Sequence, residues 1–514
     1  MINVNIKKST QLNAADNVAL ALEDIAADTF ISEGRLKVLQ NTPSGHKIAL
    51  QDIAEGEQII KYAQVIGFAS IEIKKGQHVH SHNCSVGELN HDYDFCASYQ
   101  QAANLTVSTA IKARTFKGFR RANGKVGTRN FIGILTSVNC SATVAKLIAK
   151  GINDSGILDQ YPQVDGVVPL VHGAGCCIKS DGEGYASLQR TLLGYASHVN
   201  FSATLMVGLG CEVMQISRLM KEGNLSHNEH FQTLIIQDQG GTRKSVASGI
   251  EIVTKMLALA NQCERTDQPV SELILALQCG GSDGYSGITA NPALGVACDL
   301  LVGAGGTVVL SETPEIYGAE HLLTRRAVSE EVGQKLVDRI HWWEEYAAKN
   351  GGEMDNNPTP GNKAGGLTTI YEKSLGAVAK AGTSPLNGVY LYSQPIDTKG
   401  FVLVDGPGYD PCAITGQVAS GSNVICFTTG RGSVFGYKPA PCIKLATNSG
   451  MYQRMEEDMD INCGDIITQG VSLEAKGLEI FNKIIAVASG EQSKSELNGL
   501  GDNEFVPWQL GAQM

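Results

Sequence analysis

The chain has 514 residues, 43% of them hydrophobic and 18% charged, the composition of a globular protein too long for one ordinary core, so about two to four domains are expected. Its net charge of −11 argues against nucleic acid or an anionic membrane as partner, and no apolar run approaches the ~18 residues that span a bilayer. The start, MINVNIKKSTQLNAADN, lacks the apolar core of a secretory signal, so a cytoplasmic location is expected, where cysteines stay reduced as packed residues or ligands.

Residues 1–98 alternate short apolar runs, such as RLKVLQ and HKIALQDIAEGEQIIKYAQVIGFAS, with regularly spaced glycines at 34, 45, 56, 67 and 76. That pattern predicts a small β-rich module. The module ends in HVHSHN. Alternate residues of a strand share one face, so His78, His80 and His82 project together and suit a metal ion or a substrate. Residues 99–117 carry no clear pattern and read as a linker or arm.

From Gly118 strand-like runs alternate with helix-like ones, the pattern of a doubly wound α/β sheet. FIGILTSVN precedes the helical run SATVAKLIAKGI, and FQTLIIQDQ precedes the amphipathic run SVASGIEIVTKMLALANQCER. A long helix near 324–350 carries Trp342 and Trp343. The polar stretch around 355–369 divides a first α/β part, 118–354, from a second, 355–514, which holds VYLYS, FVLVDGPGYD, NVICFTTGRGSVFG and CIKLATN.

Four cysteines stand where a strand-like run gives way to a loop: Cys140, Cys176, Cys211 and Cys279. Their spacing matches one, one and two strand–helix–strand units of ~30 residues or more. Ligands of open parallel sheets bind beyond the carboxyl ends of the strands, so four thiols brought there would converge on a metal or metal–sulfur cluster. His172, in VHGAGCC, fits a ligand or a general base. In LQCGGSDGYSGITANPALG, glycines let backbone N–H groups approach a ligand while Ser282, Asp283 and Asn291 add polar reach. GTRN supplies Arg129 and Asn130, GNKAGG supplies Asn362 and Lys363, and FTTGRGSVFG supplies Arg431. Loops with embedded cations suit a small polyanionic or polyhydroxylated substrate. GAGG at 303–306 precedes a strand instead of following one, so it is not a dinucleotide fingerprint; a P-loop motif is also lacking.

HVHSHN, RRANGKVGTRN, VGLGCE, CGGSDGYSGITANPALG, NPTPGNKAGG and FTTGRGSVFG together resemble the altronate and galactarate dehydratases of sugar-acid catabolism, over nearly the whole chain. The resemblance implies an N-terminal SAF-type (β-clip) domain, then a large Rossmann-like α/β catalytic region in two subdomains. It also implies an iron-dependent hydro-lyase, using ferrous iron or an iron–sulfur cluster, that works as a homo-oligomer on a small sugar acid. The altronate branch looks nearer, because its HxHxHN run is intact at His78–Asn83 and PEIYGAEHLL is similar. D-Altronate would then lose water to give 2-dehydro-3-deoxy-D-gluconate. Galactarate dehydration and sulfolactate sulfo-lyase chemistry are the alternatives on the same scaffold. A non-enzymatic iron–sulfur carrier would use the cysteines but leave the glycine loops and cations unexplained.

The roles expected are as follows. Cys140, Cys176, Cys211 and Cys279 hold the iron or cluster; in a rival arrangement fewer thiols join His172 or Glu212. His80 and His82 form a second metal point or a lid. His172 is the base, with Lys363 and Asp283 as alternatives. Arg431 and Arg129 clamp the carboxylate, and Asn130, Ser282, Asn291 and Asn362 complete the substrate site.

Overall fold

The computed structural model describes residues 8–32, 35–89, 93–104 and 106–511. Up to Ser85 the chain forms short antiparallel strands, as the glycine-punctuated pattern predicts. Ser9–Thr10, Val18–Ala21, Lys47–Ala49 and His78–Val79 form one sheet in that order, and Gln58–Lys61, Gln64–Ala69 and Cys84–Ser85 form another. Ile59, Ile66, Ile73 and Val79 share one buried cluster with Leu294, Ala297 and Leu375 of the large region. The module is thus packed into the body of the protein. The arm ends before residue 117, because Thr115–Arg120 is a strand paired with Thr266–Pro269.

Two parallel sheets follow. The first has four strands in the order Gly166–Leu170, Phe131–Thr136, Phe201–Gly208, Phe231–Ile235. Helices Ala142–Asn153 and Thr242–Ala260 bury their apolar stripes on one face, through Val144, Ile148, Val253 and Leu257. Glu183–Ala196 covers the other through Leu188 and Leu192.

The second sheet has seven parallel strands, in the order Leu386–Tyr390, Gly400–Val404, Thr307–Leu310, Ile274–Cys279, Val424–Thr429, Cys442–Ala446, Ile461–Asn462. Its middle strands read as unbroken apolar runs because helices cover both faces. The division expected at 354/355 therefore falls inside one hydrogen-bonded sheet. The break between sheets lies between the Phe231–Ile235 and Ile274–Cys279 strands, and the polar stretch that suggested 354/355 carries the short helix Pro360–Ala364 and packs on the loop after Ile274–Cys279.

The strand order is 3-4-2-1-5-6-7 in the sheet's own chain order, which is not the 3-2-1-4-5-6 order of dinucleotide-binding folds. One property survives that difference. From Ile274–Cys279 the chain leaves to one side through helix Ala290–Gly303, and it returns to the other side through helix Asp410–Ala419. The carboxyl ends of Ile274–Cys279 and Val424–Thr429 therefore flank a topological switch point, where open α/β sheets hold their ligands. Among the described residues no helix is long and apolar enough to cross a membrane.

Candidate active site

The loops on either side of the switch point are bound to each other. The amides of Gly430 and Arg431 both donate to Gly281 O, at 3.0 and 2.9 Å. Asp283 fixes the first loop: its Oδ1 accepts from the Tyr285 and Ser286 amides and from Thr447 Oγ1, and its Oδ2 accepts from Asn448 Nδ2. This carboxylate is buried and its acceptor sites are occupied, so the structure makes it an organiser of the loop and not a base.

The third wall is the 361–366 segment. Asn362 caps its own short helix, accepting from Thr359 N and Oγ1, and donates through Nδ2 to Ser282 O at 2.9 Å. Both ends of the amide are used to join two loops, which leaves neither for substrate. Ser282 is buried at that junction.

Against this segment the N-terminal module brings its histidines. A Cβ on Gly284 or Gly366 would stand 2.0 or 2.2 Å from Gly45 O, so only glycine at these positions lets the Gly45–His46 turn seat. His46 Nε2 then lies 3.4 Å from Ala364 O, and its Nδ1 lies 2.9 Å from His78 Nε2. His78 pairs across the sheet with Ile48, and His80, two residues on, shares its face. The His46 ring centroid is 5.1 Å from that of His78 and 4.7 Å from that of His80. Asn83 of the HVHSHN run shapes the turn, accepting from His80 N and donating to His78 O.

One ring nitrogen from each of His46, His78 and His80 lies within 4.8 Å of the others. Burial, reinforced by the neighbouring imidazoles and Lys47, lowers the pKa of His78 to about 3 and of His80 to about 4, so both rings are neutral at physiological pH and offer lone pairs. His80 Nδ1 is buried with no hydrogen-bond partner. Neutral imidazoles with an orphaned buried nitrogen fit a divalent transition metal. His82 stands outside the triad, exposed at its rim, with its ring 5.5 Å from that of His78.

Two cations lie on the third wall. Arg431 is exposed and crosses the third wall, where a Cβ on Gly365 would be 3.3 Å from its Cδ. Lys363 sits partly buried in the same segment. Neither side chain makes a hydrogen bond or ion pair with a described residue. Gly365 touches Arg431, and the preceding residue, Ala364, touches His46, so cations and imidazoles share one short stretch of wall.

Comparison with known proteins places the whole chain in one family. The family model for the C-terminal part of D-galactarate/altronate dehydratase matches residues 270–513. The second-domain model of D-galactarate dehydratase/altronate hydrolase matches 118–261, and the altronate/galactarate dehydratase SAF-domain model matches 7–87. The chain is 36% identical over 500 residues to the altronate dehydratase of Bacillus subtilis (strain 168), covering 96% of this chain and 97% of that one. It is 37% identical over 506 residues to galactarate dehydratase (L-threo-forming) of Escherichia coli (strain K12), covering 96% of each. The altronate dehydratase of the same organism is 35% identical over 495 residues, covering 95% of this chain and 96% of that one. The chain belongs to the altronate/galactarate dehydratase family. It is therefore an enzyme of the hydro-lyase class.

Several residues expected at the site of this dehydratase are held elsewhere. His172 is buried with both ring nitrogens engaged, Nε2 with Thr136 O at 2.9 Å and Nδ1 with the Ala174 amide at 3.2 Å, which corrects its role as base. Arg129 spends its guanidinium on Glu496 and on the carbonyls of Thr128, Val487 and Glu491, so no donor remains to clamp a carboxylate. Asn130 bonds Gln163 O, Ala260 O and Arg121 inside the protein. Asn291 is buried and its Nδ2 donates to Gly376 O of helix Ile370–Ala379. Each was singled out because polar residues beside glycines suit ligand contact, yet the same pairing also joins buried loops.

Cys279 is also corrected: it does not join the other three strand-end thiols. It ends a strand of the seven-stranded sheet, whereas Cys140, Cys176 and Cys211 follow strands of the four-stranded one. Its Sγ is 2.9 Å from Lys380 Nζ, 3.4 Å from Glu315 and 3.7 Å from Glu312. Lys373 bridges Glu315 and Asn357 at 2.7 Å each. Cys279, Glu312 and Glu315 are close enough to hold a cation, but the Lys380 ammonium already fills that part. Burial, with the Glu315 charge beside it, pushes Glu312 up to about 8. An unfolded glutamate ionises near 4.5, so stability present below that pH is lost as pH rises through the folded value. Glu312→Gln is expected to flatten that decline in thermal melts taken between roughly pH 5 and pH 9. A slope identical to wild type would show that Glu312 is ionised throughout.

His46 was not legible as a site residue. His46 is a single histidine after a turn, and its partners sit more than thirty positions away.

Proposed function

We propose that this dehydratase removes water from D-altronate, giving 2-dehydro-3-deoxy-D-gluconate, in the crevice walled by His46, His78, His80, Lys363 and Arg431. The observation that carries the proposal is the meeting, at a sheet's switch point, of three imidazoles with two unpaired cations. Iron(II) held by His46, His78 and His80 supplies Lewis acidity toward substrate oxygens when bound. Arg431 receives the carboxylate, which its planar fork matches with two hydrogen bonds. His82 at the rim takes the proton from the carbon next to the carboxylate. Lys363, as an ammonium, protonates the departing hydroxyl. The C–H and C–O bonds break, water leaves, and the enol product tautomerises to the 2-keto acid. The charges of Arg431 and Lys363 offset the negative charge that builds on the substrate.

D-Altronate has one carboxylate and galactarate has two. With Arg129 engaged inside the protein, Arg431 is the single arginine of the expected clamp pair at the crevice, which favours the mono-acid. The test is a panel of D-altronate, galactarate and sulfolactate, following 2-keto acid and sulfite. Highest kcat/KM on D-altronate is expected. A preference for galactarate would overturn the substrate assignment, and no turnover of any of the three would overturn the reaction.

Arg431→Lys removes the fork and keeps the charge. It is expected to raise KM about 10-fold to 100-fold, the worth of one charge-assisted hydrogen bond. An unchanged KM would rule Arg431 out as the clamp.

A further inference from the structure

A cavity of about 570 Å³ opens at the amino edge of the seven-stranded sheet, where the two α/β regions meet. Ile274 and Thr307, which begin two strands of that sheet, line one side. Leu193, Gly194 and Ser197, at the end of helix Glu183–Ala196, line the other. Ile274 and the loops of the crevice stand at opposite ends of one six-residue strand, roughly 16 Å apart at ~3.3 Å per residue. A molecule in this cavity is therefore not at the crevice.

The joint around the cavity is tightly fastened. Arg190 Nε donates to Tyr392 O at 2.9 Å, Thr191 Oγ1 lies 2.8 Å from Ser393 Oγ, and His198 Nε2 lies 3.0 Å from Ser422 O. Thr128 Oγ1 donates to Asn423 O at 2.6 Å. A Cβ on Gly194 would lie 2.2 Å from Ala419 O, so glycine lets helices Glu183–Ala196 and Asp410–Ala419 meet backbone to backbone. Protein interiors leave few voids larger than a water molecule, so a gap of this size beside so close a contact needs an explanation other than loose packing. Ligand cavities of roughly 300–1,000 Å³ occur preferentially at such joints between domains.

The lining selects the occupant. Leu193, Ile274 and Ile396 give it apolar walls. Lys125, Arg190 and Lys399 bring positive charge, and Glu272 and Asp397 bring negative charge. His198 is neutral, because burial lowers its pKa to about 4. Helices Glu183–Ala196 and Asp410–Ala419 both end at the cavity, and each carboxyl end carries about half a negative charge. The sum is close to zero, so the site favours neither an anion nor a cation. One hydrogen-bonding group stands ready: Ser420 lines the cavity, is buried, and its Oγ has no partner among the described residues. A buried hydroxyl without a partner calls for a ligand or water group to satisfy it. We infer that this cavity binds an uncharged, mainly apolar small molecule that carries one hydrogen-bonding group for Ser420 Oγ, at a site separate from the histidine crevice.

The test is a fluorescence titration of the full-length protein with N-phenyl-1-naphthylamine, an uncharged dye with one N–H. Saturation at about one dye per chain is expected. The sulfonated relative 8-anilinonaphthalene-1-sulfonate has the same two ring systems with an added negative charge, and is expected to bind at least about tenfold more weakly. Ser197→Trp and Ile396→Trp each place an indole in the cavity and are expected to abolish binding of the uncharged dye. Ser420→Ala is expected to weaken it about fivefold, the worth of one neutral hydrogen bond. Circular dichroism and thermal melts check that the variants fold, and Ser197 is exposed, so its substitution disturbs no core. Absence of saturable binding in wild type overturns the inference, as does binding retained in both folded tryptophan variants. Equal or tighter binding of the sulfonate overturns the uncharged class, and an unchanged affinity in Ser420→Ala removes the hydrogen bond. A wild-type dimer that both tryptophan variants dissociate in sedimentation velocity would show a second copy of the chain in the cavity, which also overturns it. Dye binding does not depend on turnover, so failure here is distinguishable from failure of the proposed reaction.

Discussion

His80→Ala is expected to lower kcat/KM by about a thousandfold or more, the several kcal/mol that a Lewis-acid metal supplies to such an elimination. Its thermal midpoint is expected to stay close to wild type. His80 Nδ1 has no partner in the folded protein, so removing the ring strands no hydrogen bond. An imidazole kept for packing or polarity would show the opposite pattern, with stability falling and turnover preserved. The check is paired: steady-state kinetics on D-altronate and bound iron, measured on the same preparation. Full activity with full iron would remove His80 from the metal site.

Glu372→Ala is expected to have the largest effect on stability. Its carboxylate is fully buried between Lys47 and Lys61, both at 2.8 Å, and it also accepts from the Thr368 amide and hydroxyl. Both lysines come from the N-terminal module and the glutamate from the large region, so this triad joins the two. Removing the anion leaves two buried ammonium groups without it, which costs on the order of 3–5 kcal/mol. That is a large part of a domain's net stability, so the module is expected to loosen, with faster proteolysis between residues 85 and 115. Activity should fall as well, because the module carries His46, His78 and His80. A fold-neutral comparison is the triple variant Lys47→Met, Lys61→Met, Glu372→Leu, which exchanges the ions for apolar groups and should recover most of the lost stability. A Glu372→Ala protein that melts like wild type would contradict the account of the joint.

Burial opposes ionisation of Glu372, but Lys47 and Lys61 outweigh it and hold the carboxyl well below its ordinary range. Its contribution is therefore present above the unfolded value of 4.5 and is lost as pH falls, opposite in sign to that of Glu312.

Much of the fold follows from local pattern. The β-rich module, the parallel strands and the helices at 142–153 and 242–260 fall where apolar period and glycine punctuation put them. The division between sheets did not, because strand pairing joins residues far apart: Ile274–Cys279 lies between Thr307–Leu310 and Val424–Thr429. The same limit applies to the site. His78 and His80 are legible because one strand presents both, and Lys363 and Arg431 because their glycine loops draw notice. His46 reaches them only through a cross-strand pair. The four strand-end cysteines look equivalent along the chain, yet Cys279 belongs to the other sheet and sits among buried charges. Arg129 and His172 show the converse. Beside glycines they resemble ligands, and only their engaged nitrogens show that they hold loops together.

The most direct test is turnover of D-altronate by the anaerobically purified protein, with and without ferrous iron, beside a His78→Ala/His80→Ala variant at the same iron concentration. Iron-dependent formation of the 2-keto-3-deoxy acid by wild type, absent from the folded variant, is the result expected. Equal turnover by both proteins would place the chemistry outside the histidine crevice.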